Sequence, residues 1–524
     1  MISNDDGVQF NEAFDVVVVG YGNAGAVSAI EAHDHGARVL ILEKMQDPGG
    51  ISICAAGGLR ISDNRDAAFA YLQATNAGTT PDDVLRTIAD GMVDLEDYVR
   101  KLARVNGAEI SRKPREANYP FPGYESFGFL DVDSIPGFDL ATAYPHARRT
   151  KGKYAFKLLE DNIRARGIEV RLATSADRLI TGPGKEVRGL WVRSGNERYA
   201  IAARQGVILA CGGFEAAPDM QLQYWQIRPV LSAANRSNTG DGITMAQDLG
   251  AKLWHMWHFH GSYGFRHPSH EFPYALRVKR LPDWRPGGRP PPVQMSWILV
   301  DQKGRRFANE YEPYMQDTGH RSLDMVDPHT QTYPHIPVFL IVDEDGRQLY
   351  PLGSAVYNDR DVKPFTWSTD NLAEVDLGIL KRADSVEDLA KLMDVDPDVL
   401  KATLDDWNAS VEQDADTRFG RPPGTMVPVR RPPFYVGEIW PLVSNTQGGP
   451  VHDNRQRVID SYDNPIPRLY EAGELGSIWG HLYLSGGNLS ECFITGQIAG
   501  REAALSSPWT VDVQREDLRI TRTA

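Results

Sequence analysis

The sequence predicts an α/β fold, a Rossmann-like domain with a parallel central sheet interrupted by an inserted α+β cap. Three observations predict it. An apolar, β-branched run from Phe14 to Val19 ends in the cluster Gly20-Tyr21-Gly22-Asn23-Ala24-Gly25 and leads into helical spacing and a second strand. Between about residues 293 and 435 such glycine-rich features are absent. Strand and glycine patterns then return at 440–500.

Taken in order, Phe14 to Val19 has the continuous apolar character of a parallel strand covered on both faces. Ala26 to His35 carries Ala, Val and Ile at helix-compatible spacing and stops at Gly36, after which Arg38 to Leu42 reads as a strand, giving a β-α-β unit. Gly20 allows the tight turn, Gly22 lets the backbone approach a pyrophosphate, and Gly25 lets helix and strand pack closely. Glu43 follows Gly25 by 18 residues, near the spacing at which an acid meets a ribose hydroxyl. Glu169 to Leu172 and Gly206 to Ala210 read as later strands of the same sheet. The Pro-, Gly- and Arg-rich stretch from Leu281 to Pro292 marks a crossing between domains. Beyond it come a strand at Val338 to Val342 and an acidic amphipathic helix from Ser385 to Trp407. Two proline clusters, at 421–424 and 431–433, precede the return to glycine patterns. The expected division is 1–285, an inserted cap at 286–434, and 435–524, with no internal repeat.

A chain of 524 residues has room for two or three ordinary domains. Its 56 Lys and Arg against 70 Asp and Glu give a net charge of −14, opposite to what a nucleic-acid surface needs. Cys54, Cys211 and Cys492 are too few and too scattered for a disulfide framework or a metal site. The opening residues Met1 to Asp6 lack a secretory pattern, and no run has the length of a membrane span. The expectation is a cytoplasmic protein without a transmembrane segment.

These motifs resemble the flavoprotein superfamily of fumarate reductase and the 3-ketosteroid dehydrogenases over nearly the whole chain. Gly20 to Gly25, then Ala29 and Gly36, matches the spacing of FAD binders. The segment Gly49 to Gly58 is similar to the family's second flavin segment, as are Ala210 to Phe214 and Asn238 to Gly242 to two more. Leu469 to Glu474 and Gly486 to Leu489 resemble the segments at the ribityl chain and the pyrimidine end. The resemblance implies a parallel-sheet FAD-binding domain with a catalytic cap. It also implies cofactor contacts from Gly20, Gly22, Asn23, Ala24, Gly25, Glu43, Lys44, Gly50, Ser52, Ala56, Gly57, Gly58, Ala176, Gly212, Asp241, Glu474, Asn488 and Leu489. Ile51 stands where membrane-bound relatives carry a flavin-linked histidine, so non-covalent FAD is expected. NAD is the competing reading of the first motif alone, and the later flavin segments argue against it.

After Gly304 to Glu310 the chain continues Tyr311-Glu312-Pro313-Tyr314, which resembles the ketosteroid dehydrogenases, whereas fumarate reductases carry a proton-delivering arginine at this position. The Tyr483-Leu484-Ser485-Gly486 run likewise resembles the 3-ketosteroid 4-dehydrogenases, lacking the carboxylate-clamping arginine of fumarate reductases; Asn445 stands in place of their histidine. The resemblance implies catalytic roles for Tyr314, Tyr483 and Ser485: Tyr314 removing an α-proton with Ser485 as its relay, and Tyr483, with a backbone N–H such as that of Gly486, binding the carbonyl oxygen. Each residue has a plainer reading, since buried tyrosines are common in cores and a serine before two glycines often shapes a turn.

The expected reaction is desaturation of a cyclic ketone, foremost a 3-ketosteroid, next to its carbonyl, with hydride passing to flavin N5 and an external acceptor (a quinone, oxygen or a redox protein) taking the electrons. A monocyclic oxo acid such as 4-oxocyclohexanecarboxylate is an alternative substrate. An enone or enoate reductase running the other way is an alternative activity, and a flavoprotein without substrate turnover is a third reading. The histidines of Trp254 to His260 lack partners for a zinc signature, so no metal is expected. This alternating run reads as a strand lining the substrate pocket, which Tyr119 to Tyr124 lines as well. The three cysteines lie in or beside flavin segments and read as small packing residues.

Overall fold

The computed structural model describes residues 7–148, 151–289 and 291–510. The opening residues on which the targeting expectation rests therefore lie outside the described residues. Strand β1 (Glu12–Val19) is fully buried from Val16 to Val18 because sheet neighbours flank it and helices cover its faces. It pairs in parallel with β2 (Val39–Leu42) and with the strand Glu197–Leu209. Glu169–Arg171 joins the outer side of β2, and Pro465–Glu471 joins the far side of Glu197–Leu209, both in parallel. An antiparallel hairpin, Thr174–Thr181 with Val187–Ser194, extends this sheet. The strands expected at 169–172 and 206–210 thus belong to the sheet that β1 opens.

Helix α1 (Asn23–Asp34) starts at Gly22 without a side-chain cap. Its back packs on the C-terminal helix Gly487–Ala504, whose glycines permit near-contact: a Cβ on Gly500 would lie 2.3 Å from Ser28 O. The end of the chain therefore completes what its beginning starts.

A second sheet carries the other wall of the site. Its strands run Ile298–Val300, Val338–Val342, Phe434–Thr446, Phe259–Arg266, Ala275–Val278 and Gly353–Ala355. Two of these lie before residue 286 and one runs past 434. We propose that the inserted unit be bounded by this sheet, because hydrogen-bonded pairing crosses the divisions that composition marks. The helical stretch from Ser385 is two helices, Val386–Met393 and Pro397–Glu412. Asp394, in the left-handed region, ends the first, and Asp396 caps the second through the N–H groups of Asp398 and Val399.

The loop before Tyr314 is fixed by buried charges. Arg306 bonds Glu310 and Asp416 at 2.8 and 2.9 Å, and Arg421 pairs with Glu310 at 2.6 Å. Both guanidinium groups lie over the Trp407 ring. Among the described residues no helix is long and apolar enough to cross a membrane.

Candidate active site

A cleft of about 490 Å3 runs between the two sheets. The glycine-rich segments form one end and Tyr314, Tyr483 and His260 the other. The side facing α1 is built by geometry that excludes side chains. Gly20 has φ +104°, and a Cβ there would lie 2.4 Å from Ala210 O. Asn23, which starts α1, is fully buried, and its side-chain oxygen and nitrogen have no partner. An uncapped helix start beside an orphaned amide fits the pyrophosphate of the dinucleotide. Glu43 accepts the N–H groups of Tyr21 and Met45, both at 2.9 Å, which fixes its carboxylate at the cleft wall. Burial raises its pKa.

All the residues expected from the sequence to contact the cofactor line this cleft except Gly25 and Gly57. These two serve packing: added Cβ atoms would lie 2.0 Å from Gly20 O and 2.7 Å from Lys151 C respectively. Lys44 bonds Asp241 at 2.7 Å, so two of the expected contacts are also partners of one another. Ile51 lines the cleft and offers no nucleophile for a covalent link. Desolvation raises the buried carboxyls of Glu474 and Glu215, and the charge of Glu491 adds to it at Glu474 as that of Glu474 does at Glu215. Burial likewise raises the thiols of Cys211, to about 12, and Cys492.

At the opposite end the rings of Tyr314 and Tyr483 lie 6.5 Å apart and 22° from parallel. Both are buried, and desolvation pushes both phenols above their ordinary value. Tyr483 Oη accepts the backbone N–H of Asn488 at 3.3 Å, which leaves its own proton to donate. Tyr314 Oη meets His260 Nε2 at 3.4 Å instead of Ser485, the relay partner expected from sequence. Ser485 lines the cleft, but its bonds are made by the main chain: its N–H donates to Asn118 Oδ1 and its carbonyl accepts from Arg60 Nε.

His260 Nδ1 donates to Asn445 Oδ1 at 3.1 Å, and Asn445 Nδ2 donates to Asn488 Oδ1 at 3.1 Å. That amide orientation places the ring proton on Nδ1 and makes Nε2 the acceptor for Tyr314. Burial, with Arg277 and Arg280 nearby, lowers His260 to about 3, although Asp317 acts in the other direction. It is therefore a neutral imidazole at pH 7.

The strand expected through Trp254 to His260 is interrupted. Leu253–Trp254 and Phe259–Arg266 are strands, while 255–258 turns, with His255 at φ +54° and His258 N–H bonded to His255 O. His255 and His258 bond the carbonyls of Ser477 and Trp479, so His260 alone of the three lines the cleft. Among the described residues no group of three or more metal-ligating side chains forms a site. Nor does the cluster Tyr119 to Tyr124 line the cleft. Tyr119 packs edge-on behind Tyr314, with centroids 6.0 Å apart, and donates to Asp317 at 2.6 Å.

Sequence reasoning missed His260 as the partner of Tyr314, and it missed Asp317, Arg277 and Arg280. A signal for Arg277 existed: Leu276-Arg277-Val278-Lys279 alternates apolar and basic residues with the period of a strand.

A family model described as FAD binding domain matches residues 15–489. NADH:fumarate oxidoreductase of Klebsiella pneumoniae is 27% identical over 94% of this chain, which spans 48%, about half, of that relative. 3-Oxosteroid 1-dehydrogenase of Mycolicibacterium smegmatis is 26% identical over 95% of this chain and 98% of its own length. The solved 3-ketosteroid Δ1-dehydrogenase from Sterolibacterium denitrificans, in complex with 1,4-androstadiene-3,17-dione, shares the fold with a TM-score of 0.77. It is 23% identical over 94% of this chain and 99% of that one.

Proposed function

The chain belongs to the FAD binding domain family and is an FAD-dependent oxidoreductase, and we propose that it introduces a double bond next to the carbonyl of a cyclic ketone. The observation that carries this reading is the placement of two buried phenols, Tyr314 and Tyr483, at one end of the cleft that the flavin segments line. Bound FAD supplies the acceptor for the β-hydride.

Tyr483 donates its hydroxyl proton to the ketone oxygen, since its own oxygen already accepts from Asn488. That bond strengthens as negative charge grows on the oxygen during enolisation. Tyr314 receives the α-proton at Oη while its phenolic proton passes to His260 Nε2. Burial disfavours both a free phenolate at Tyr314 and an imidazolium at His260, so neither ion is stable and the hydrogen bond between them carries the proton only transiently. The ketone loses a proton and a hydride and becomes an enone. The electrons then pass to an external acceptor such as a quinone, oxygen or a redox protein. Names among the relatives support a 3-ketosteroid as one candidate substrate.

The test is anaerobic mixing of the yellow protein with saturated steroidal and monocyclic ketones, followed by location of the new double bond in the product. Bleaching of the flavin with α,β-desaturation is the expected result. If no ketone bleaches it, while reduced protein is reoxidised by enones or enoates, the protein is a reductase and the proposal fails.

A further inference from the structure

One buried cation stands beside the tyrosines with main-chain partners only. Arg60, on the strand Leu59–Ser62, is fully buried, and its guanidinium donates to three carbonyls: Nε to Ser485 O and Nη1 to Arg115 O, each at 2.8 Å, and Nη1 to Glu116 O at 3.3 Å. Its Nη2 has no hydrogen-bond partner, and among the described residues no carboxylate is paired with it. Asp131 and Asp283 are engaged elsewhere, with Lys113 at 2.6 Å and Arg115 at 3.2 Å. Carbonyl dipoles alone compensate a buried charge poorly. Burial accordingly lowers Arg60, yet only to about 10, so it is a cation at pH 7. The guanidinium does not line the cleft. It lies 4.0 Å from the ring of Phe129, which does, so the wall keeps its apolar surface while a fixed charge stands beneath it.

The bond to Ser485 directs that charge at the site. The carbonyl of Ser485 and the N–H of Gly486 belong to one peptide unit, and a peptide whose oxygen accepts from a cation becomes a stronger donor at its nitrogen. Gly486, at φ +79°, leads into the helix Gly487–Ala504, and a Cβ there would lie 2.5 Å from the Phe129 ring. Tyr483 Oη meets this helix start, where it accepts the N–H of Asn488 at 3.3 Å. Burial raises the Tyr483 phenol and Glu491 adds to it, while the Asn488 N–H, the charge of Arg60 and the Gly486 N–H pull it back. Ser490, one turn into the helix, donates to Arg60 O at 2.7 Å, so strand residue and helix start are held together.

We propose that Arg60 is a positioning residue for the oxyanion: through the Ser485–Gly486 peptide its charge strengthens Tyr483 as a donor while the ketone oxygen becomes an enolate oxygen. This rests on the dehydrogenation reading above. Such help grows with the negative charge it meets, so it acts on the reaction more than on binding of the neutral ketone.

The test uses fluorinated phenols of graded acidity, whose anions imitate an enolate oxygen, bound to the FAD-loaded protein without turnover. Fluorine NMR reads the pH at which each bound phenol ionises. In the wild type that pH should lie about one unit or more below the value in water, and Arg60→Gln should raise it by about one unit or more. In a Tyr483→Phe background the same substitution should move it less than half as far, because the relay ends at that hydroxyl. A merely structural Arg60 would weaken phenol and phenolate alike and leave the pH of ionisation where it was. In rapid mixing, Arg60→Gln should lower the rate of flavin reduction by a saturated ketone about tenfold or more, with little change in the ketone's dissociation constant. The proposal is overturned by wild-type phenols that ionise at or above their solution values, an outcome readable even if Arg60→Gln does not fold. An unshifted Arg60→Gln, or a shift kept in full without the Tyr483 hydroxyl, overturns it as well. Failure of every ketone to bleach the flavin sinks the dehydrogenation reading instead, and the phenol titration still reports on Arg60.

Discussion

Asp317 Oδ2 accepts the backbone N–H of Tyr483 at 2.9 Å and the hydroxyl of Tyr119 at 2.6 Å. Asp317 sits in the short helix Met315–Thr318 that follows Tyr314, so one carboxylate fixes the spacing between the two phenols of the site. Burial opposes its ionisation, but His258, Arg321 and Tyr119 hold it down at about 2. Asp317→Ala leaves a buried N–H and a buried hydroxyl without an acceptor. It should cost about 2–4 kcal/mol in urea unfolding and lower turnover as well. Asp317→Asn keeps an acceptor and should cost less.

Tyr314→Phe removes the proton acceptor without opening a cavity. The rate of flavin reduction in rapid mixing should fall about 10²- to 10⁴-fold with the visible flavin spectrum unchanged. Tyr483→Phe should fall about 10²- to 10³-fold. Full rates in both variants would remove the phenols from the chemistry.

His260 gives a pH signature. It is held near 3, so wild-type reduction by a ketone should be flat between about pH 6 and 9 with respect to this group. In His260→Ala the relay is absent and Tyr314 must ionise unaided, so the rate should be lower at pH 7 and climb with pH. Asn445→Leu should show a weaker form of the same slope, because the imidazole loses the bond that fixes its tautomer. A flat profile in His260→Ala would count against the relay.

The buried carboxyls set the pH dependence of stability. Burial raises Glu215 and Glu474, and it raises Glu491 to about 7. Groups raised above their ordinary value near 4.5 hold extra protons in the folded state. Their contribution is therefore complete below pH 4.5 and lost as pH rises through the raised values. Thermal melting should show stability falling from pH 5 to 8, by at most about 1.4 kcal/mol per unit for each titrating group. Glu474→Gln removes one of these raised carboxyls and should flatten that slope.

The β-α-β unit was legible because a strand buried on both faces, a glycine turn and an uncapped helix leave a continuous local record. The cofactor end of the site was legible for the same reason. The second sheet was not, because its strands come from distant segments, and nothing local in Phe259 to Arg266 says that it pairs with Phe434 to Thr446. The substrate end shows the same limit. Tyr314 and Tyr483 stand in recognisable motifs, whereas His260 acquires its partners only through tertiary pairing, which sets it opposite Asn445 on the neighbouring strand. Arg277 reaches the site through cross-strand neighbours that the sequence does not place.

The packing of Gly487–Ala504 on α1, and of Pro465–Glu471 on Glu197–Leu209, bears on how the protein is made. Until those late residues leave the ribosome, Glu197–Leu209 presents an open edge able to pair with another chain, and α1 lacks its cover. The cleft, which Glu474, Asn488 and Leu489 help to line, is therefore complete only once the last strand and helix have been made.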